Sequence, residues 1–152
     1  MKKCFAIWIC ILLISNTLAL PVAATQTDSE QIILSQTIEY IDDECYFIET
    51  IYVPSIQPYR GSKTGTKVAE CVSSGTTIYT LSVTGTFTYD GTTADATSAK
   101  CAIATHVPNA TISSRNAYTS GASAIATGSV VYYGITLQKT VTLTCDKNGN
   151  LS

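Results

Sequence analysis

Residues 77–90, TIYTLSVTGTFTYD, alternate apolar and polar side chains with a period of two. Tyr79, Leu81, Val83, Phe87 and Tyr89 share one parity, with Gly85 the only gap. Thr80, Ser82, Thr84, Thr86, Thr88 and Asp90 share the other. Successive strand side chains point to opposite faces, so this stretch demands a sheet with one buried and one wet face. Residues 135–145, ITLQKTVTLTC, repeat the pattern, with Ile135, Leu137, Val141, Leu143 and Cys145 on one parity and Lys139 the one interruption.

The rest of the chain supplies shorter strands and the turns between them. Residues 37–41 and 45–53 flank Asp42-Asp43-Glu44, acidic turn formers between two β-prone runs, which reads as a hairpin. Two prolines make residues 54–61 a loop, since proline cannot join a central ladder. Further strands are expected over 63–72, 94–107, 111–119 and 122–133, separated by Ser73-Ser74-Gly75, Asp90-Gly91, Pro108-Asn109, Ser120-Gly121 and Gly134. Seven to eight short strands with turn chemistry between them and no helical periodicity indicate an antiparallel, immunoglobulin-like β-sandwich. A small β-barrel is the alternative.

Residues 1–24 read as a secretory signal peptide. Lys2 and Lys3 precede an apolar run over 5–14, and Val22-Ala23-Ala24 offers small residues for cleavage near Ala24. The apolar run is too short to span a bilayer comfortably, so no membrane association is expected after cleavage. Residues 25–36 read as a flexible leader with a brief helix or edge strand, and 37–152 as one domain. Removing the signal leaves seven basic against eleven acidic residues, a net charge of −4. That excludes nucleic acid and anionic membrane as natural partners, both of which need a basic face.

Four cysteines remain in the mature chain: Cys45, Cys71, Cys101 and Cys145. In an exported chain an even number implies disulfides, here with three possible connectivities. Cys101 and Cys145 both fall on the apolar parity of their strands, which favours a bridge between them and leaves Cys45 with Cys71.

Several stretches carry a resemblance: VTGTFTYDG at 83–91, TVTLTCDKNGNLS at 140–152, the hairpin TIEYIDDECYFIETI and the KTGTK that opens the next strand. Taken in chain order, from the hairpin through KTGTK and VTGTFTYDG to the C-terminal stretch, they resemble a family of small uncharacterised secreted proteins of Clostridia-like Gram-positive bacteria, grouped as a domain of unknown function. The resemblance implies cysteines at the places of Cys101 and Cys145, in agreement with parity. Cys45 and Cys71 are less typical of it, and the family's common Trp near Tyr79 is missing here. It implies a class and a compartment but no activity.

No catalytic, cofactor or metal site is expected. His106 is the only histidine, on the polar parity of its strand, and no Gly-x-Ser-x-Gly elbow exists. One histidine and four oxidised cysteines leave no zinc ligand set, and Asp42-Asp43-Glu44 lacks the spaced pattern of a calcium loop. Glu49 and Glu70 invite a glycosidase reading, but rim carboxylates near Lys63, Lys67 or Lys139 are the simpler one. Lys139, on an apolar face, is also the one candidate for a Lys-to-Asn or Lys-to-Asp cross-link. Tyr132, Tyr133, Tyr118 and Tyr59 could form a stacking surface for a sugar or a protein. The expectation is a secreted, extracellular, non-catalytic β-sandwich that binds a protein or a cell-wall glycan, with a bacteriocin-like effector as the alternative.

Overall fold

The computed structural model describes residues 30–55 and 61–152. The signal peptide expected over 1–24 and Tyr59 lie outside the described residues. Within the described residues eight strands form two antiparallel sheets. The first contains β1 (Gln31–Tyr40), β2 (Cys45–Pro54), β3 (Ser62–Ser73), β4 (Thr76–Tyr89) and β5 (Ala94–Thr105); the second contains β6 (Ala110–Ser120), β7 (Ser123–Tyr132) and β8 (Ile135–Thr144). Spatial order equals sequence order in both sheets. The strands within each sheet thus follow one another as neighbours, and the chain passes from the first sheet to the second between β5 and β6, without the Greek-key order of an immunoglobulin domain. Among the described residues no closed barrel forms.

The alternation of β4 is realised from Tyr79 to Phe87, while Ile78, beside a register shift against β3, is buried as well. Tyr79, Leu81, Val83 and Phe87 are fully buried, whereas Thr84 and Thr86 face outward and pair with Thr66 and Thr64 across β3 through hydroxyl contacts of 2.8 and 3.2 Å. Sheet two lies over β3, β4 and β5. Ala124, Ala126, Val130, Val141 and Leu143 supply its side of the core, each at 0% exposure. A buried Leu or Val of this kind is worth about 1.5–3 kcal/mol relative to exposure.

Small residues set how closely the sheets approach. Gly65 and Gly85 are register partners. A Cβ on Gly85 would lie 2.7 Å from the Ala124 Cβ and 2.7 Å from the Phe87 ring, and one on Gly65 would strike Leu151. Gly85 therefore interrupts the apolar parity because the opposite sheet leaves no room there. The tail makes this contact possible. Asp146 Oδ1 accepts from the backbone N–H groups of Asn148 and Asn150, both at 2.8 Å, and the chain folds back so that Leu151 bridges to Cys145.

β1 begins at Gln31, inside the segment expected as a leader, and it is the edge-strand form of that expectation that is found. It and β2 overhang the second sheet. The inner face of β2 is nonetheless buried at Phe47, Ile51 and Val53, and Lys139 of β8 reaches across the gap with its ammonium 4.4 Å from the Phe47 ring centroid.

Candidate functional site

Two hairpin turns meet at one end of the overhang and enclose an apolar pocket of about 360 Å³. One wall is the β1–β2 turn with Ile41 and Asp42, followed by Cys45 and by Ser73 at the end of β3. The other is the β7–β8 hairpin with Tyr132, Tyr133, Ile135 and Leu137. Asp42 fixes the first turn: its Oδ1 accepts from the backbone N–H of Glu44 at 2.9 Å and of Cys45 at 2.7 Å, an Asx turn.

The second turn is strained. Tyr133 and Gly134 both have positive φ, 48° and 80°, with Tyr132 and Ile135 as register partners on either side. That is the geometry of a two-residue type I′ turn, which prefers Asn-Gly. A bulky residue in the left-handed region costs about 1 kcal/mol or more, and such strain concentrates where function requires it. Here it places the Tyr133 ring against Tyr132, with centroids 4.6 Å apart, and the Tyr133 hydroxyl accepts from Asn109 Nδ2 at 2.9 Å. Tyr133 remains 70% exposed.

Behind Cys45 lie Cys71 and Tyr79. Burial, and after it repulsion from and a hydrogen bond with the Cys45 sulfur, push the Cys71 thiol up to about 12. Burial likewise raises the Tyr79 hydroxyl, with the two sulfurs adding to the shift. The Tyr79 hydroxyl is buried without a hydrogen-bond partner, which at about 1–3 kcal/mol is a substantial penalty.

Of the sequence-derived candidates, Tyr132 and Tyr133 come together in this pocket. Tyr118 does not: it projects from β6 opposite Ile125, on the outer face of the second sheet. Cys45, Cys71, Cys101 and Cys145 are all free thiols, so the disulfides expected between them are not formed in this structure. Cys45 and Cys71 are neighbours on adjacent strands, but Cys101 and Cys145 are not brought to bonding distance. Shared inward parity is no guarantee of proximity in a two-sheet core: Cys101 faces Arg115 and Asn116 of β6, and Cys145 lies near Lys63 and Asp146.

Glu49 meets Lys67 at 3.2 Å and Lys139 at 3.0 Å, and Glu39 also binds Lys139. Lys139 is thus held by two glutamates, neither of them the Asn or Asp that a cross-link would use. Glu70 lies on the outer face, opposite Ile48 and Thr80, away from Glu49. His106 Nε2 lies 3.2 Å from a threonine hydroxyl, Thr80 Oγ1. Among the described residues no group of three or more His, Cys, Asp or Glu could hold a metal ion.

The sequence reading missed Ile41, Cys45, Ser73, Ile135 and Leu137 as pocket residues. The one local signal was Tyr-Gly at a two-residue turn where Asn-Gly is the favoured pair. Fold and site together define a two-sheet antiparallel β-sandwich with a tyrosine-walled apolar pocket at one end. Comparison with protein-family models, curated proteins and solved structures finds no match.

Proposed function

We propose that the chain is a secreted, non-catalytic β-sandwich that works by binding, its end pocket receiving one apolar or ring-shaped group of a protein or cell-wall glycan partner. The observation that carries this reading is the strained Tyr133. A left-handed tyrosine at a turn that would accept asparagine is costly to folding, and its return is an exposed aromatic wall over an apolar pocket. Two tyrosine rings in tilted contact suit a sugar ring or an apolar side chain equally well. Export is supported by the composition of residues 1–24. In an oxidising compartment Cys45 and Cys71 would form a disulfide beside the pocket.

The test is titration with aryl glycosides, cell-wall glycan fragments and short apolar peptides, followed by NMR shifts of the tyrosine rings. Ligands should perturb Tyr132 and Tyr133 and leave Tyr118 unmoved. A Tyr133→Asn, Ile135→Ser variant, altered at two exposed positions, should bind at least about tenfold more weakly, equivalent to about 1.4 kcal/mol. Binding that survives both changes places the site elsewhere.

A further inference from the structure

Every residue of β1 is exposed, although Ile32, Ile33, Leu34, Ile38 and Tyr40 lie on it and Ile41 just after it. Among the described residues β1 is also the first strand of its sheet, with a neighbour on one side only. Ile41 N–H donates to the Cys45 carbonyl. By antiparallel alternation, the N–H and C=O of Gln36, Ile38 and Tyr40 therefore turn to the open edge.

Natural sheets guard such edges with charges, bulges or covering segments. The other terminal strands do so. β5 carries Asp95 and Lys100, β6 carries Arg115 and a bulge, and β8 carries the inward Lys139 with the tail hydrogen-bonded to its end. β1 has a bulge only at its beginning, between Ile33 and Ser35, and its one charge, Glu39, is already neutralised by Lys139. Residues 35–41 are left regular and without free charge, with Ile38, Tyr40 and Ile41 exposed among polar neighbours.

We propose that residues 35–41 pair antiparallel with the same residues of a second copy of this chain, about a two-fold axis at Ile38. The two five-stranded sheets then become one. Ile38 faces its own copy, Gln36 faces Tyr40 and Thr37 faces Glu39, so no like charges are opposed. The axis falls at the middle of the regular stretch and on a residue whose hydrogen-bonding groups point outward. Nothing on the strand selects a partner of opposite charge, and nothing repels a copy of itself. Ile38, Tyr40 and Ile41 are 52%, 71% and 55% exposed, apolar surface that pairing can remove from water. On the outer face, Tyr40 packs 5.7 Å from Tyr46, so pairing brings the apolar stripes of both copies side by side.

Sedimentation velocity across a dilution series tests this, on the full chain expressed with its own N-terminal segment. Wild type should be a dimer that dissociates on dilution. Ile38→Lys sets two like charges at the axis and should raise the dimer dissociation constant at least about tenfold. Ile38→Pro removes the outward N–H without touching the β1–β2 ladder and should do the same. Thr119→Lys on the β6 edge should leave the dimer intact. Urea unfolding of each variant at a concentration where all are monomeric separates lost pairing from lost folding. A wild type that is monomeric at every soluble concentration, that forms open-ended oligomers, or whose dimer survives both Ile38 changes overturns the proposal.

Discussion

Gly85 is the residue at which the spacing between the sheets is decided. Its missing side chain admits Ala124 from β7 and the edge of the Phe87 ring. Its φ is ordinary, so the demand is for space rather than for backbone freedom. Gly85→Ala is expected to cost about 1–3 kcal/mol through overpacking, measured as a lower urea midpoint at an unchanged slope. Cys45 and Cys71 make a second test at this scale. Under reducing conditions the buried Cys71 thiol, pushed up to about 12, should resist alkylation at pH 8 in the folded protein, because the thiolate is the nucleophile. With oxidised glutathione as the two-electron acceptor, non-reducing peptide mapping should find Cys45 joined to Cys71. A peptide joining Cys45 to Cys101 or to Cys145 would contradict the arrangement of β2 and β3.

The β7–β8 hairpin shows what can be lost and gained at the scale of an element. Tyr133→Asn relieves the left-handed tyrosine and is expected to keep or raise stability, by up to about 1 kcal/mol, while ligand binding falls. A loss of stability greater than about 1 kcal/mol, measured by urea unfolding, would mean that the ring stabilises the fold and is no functional compromise. The strands themselves were legible because each carries its own signal. β4 and β8 announce themselves by parity, and Ser74-Gly75, Gly91 and Gly121 fall at turns with positive φ as their composition suggests. What could not be read is where strands lie relative to one another. Parity assigns Cys101 and Cys145 to an interior but not to the same place in it. It also says nothing of whether β1 will be covered, since TIEYI looks the same on an edge as in a core. The pocket was hidden for the same reason: its walls come from turns about ninety residues apart in sequence, and only the register of two sheets brings them together.

At the scale of the molecule, the two sheets are joined across their open side by charge as well as by apolar contact. Lys139 of β8 reaches Glu49 of β2 and Glu39 of β1, and Lys67 of β3 completes the group. Burial alone would raise the Glu49 carboxyl, but hydrogen bonds and charges from Lys139 and Lys67 outweigh it and hold the group below its usual range. Burial alone would lower Lys139, but Glu39 and Glu49 outweigh it and raise its ammonium. The two shifts act on opposite sides of neutrality. A depressed carboxyl stabilises the fold above its unfolded value of about 4.3 and loses that contribution as pH falls through the folded value. A raised lysine stabilises fully below its unfolded value of about 10.4, and that contribution is lost as pH rises through the folded one. In reducing buffer the raised Cys71 and Tyr79 add to the alkaline loss, which should therefore begin near pH 8.5, where an unfolded thiol ionises. Asp90 and Asp146, held down by hydrogen bonds from Thr93 and Asn150 respectively, add to the acid one. Urea unfolding between pH 3 and 11 should thus give a plateau from about pH 5 to 8 with a limb on each side. Lys139→Met is expected to lower the plateau by about 1–3 kcal/mol, since it strands Glu49 near the core with Lys67 alone. It should shallow the acid limb without abolishing it, because the two aspartates remain, and leave the alkaline onset set by Cys71 in place. A variant whose plateau and acid limb both match the wild type would show that the charges across the open side contribute nothing to holding the sheets together.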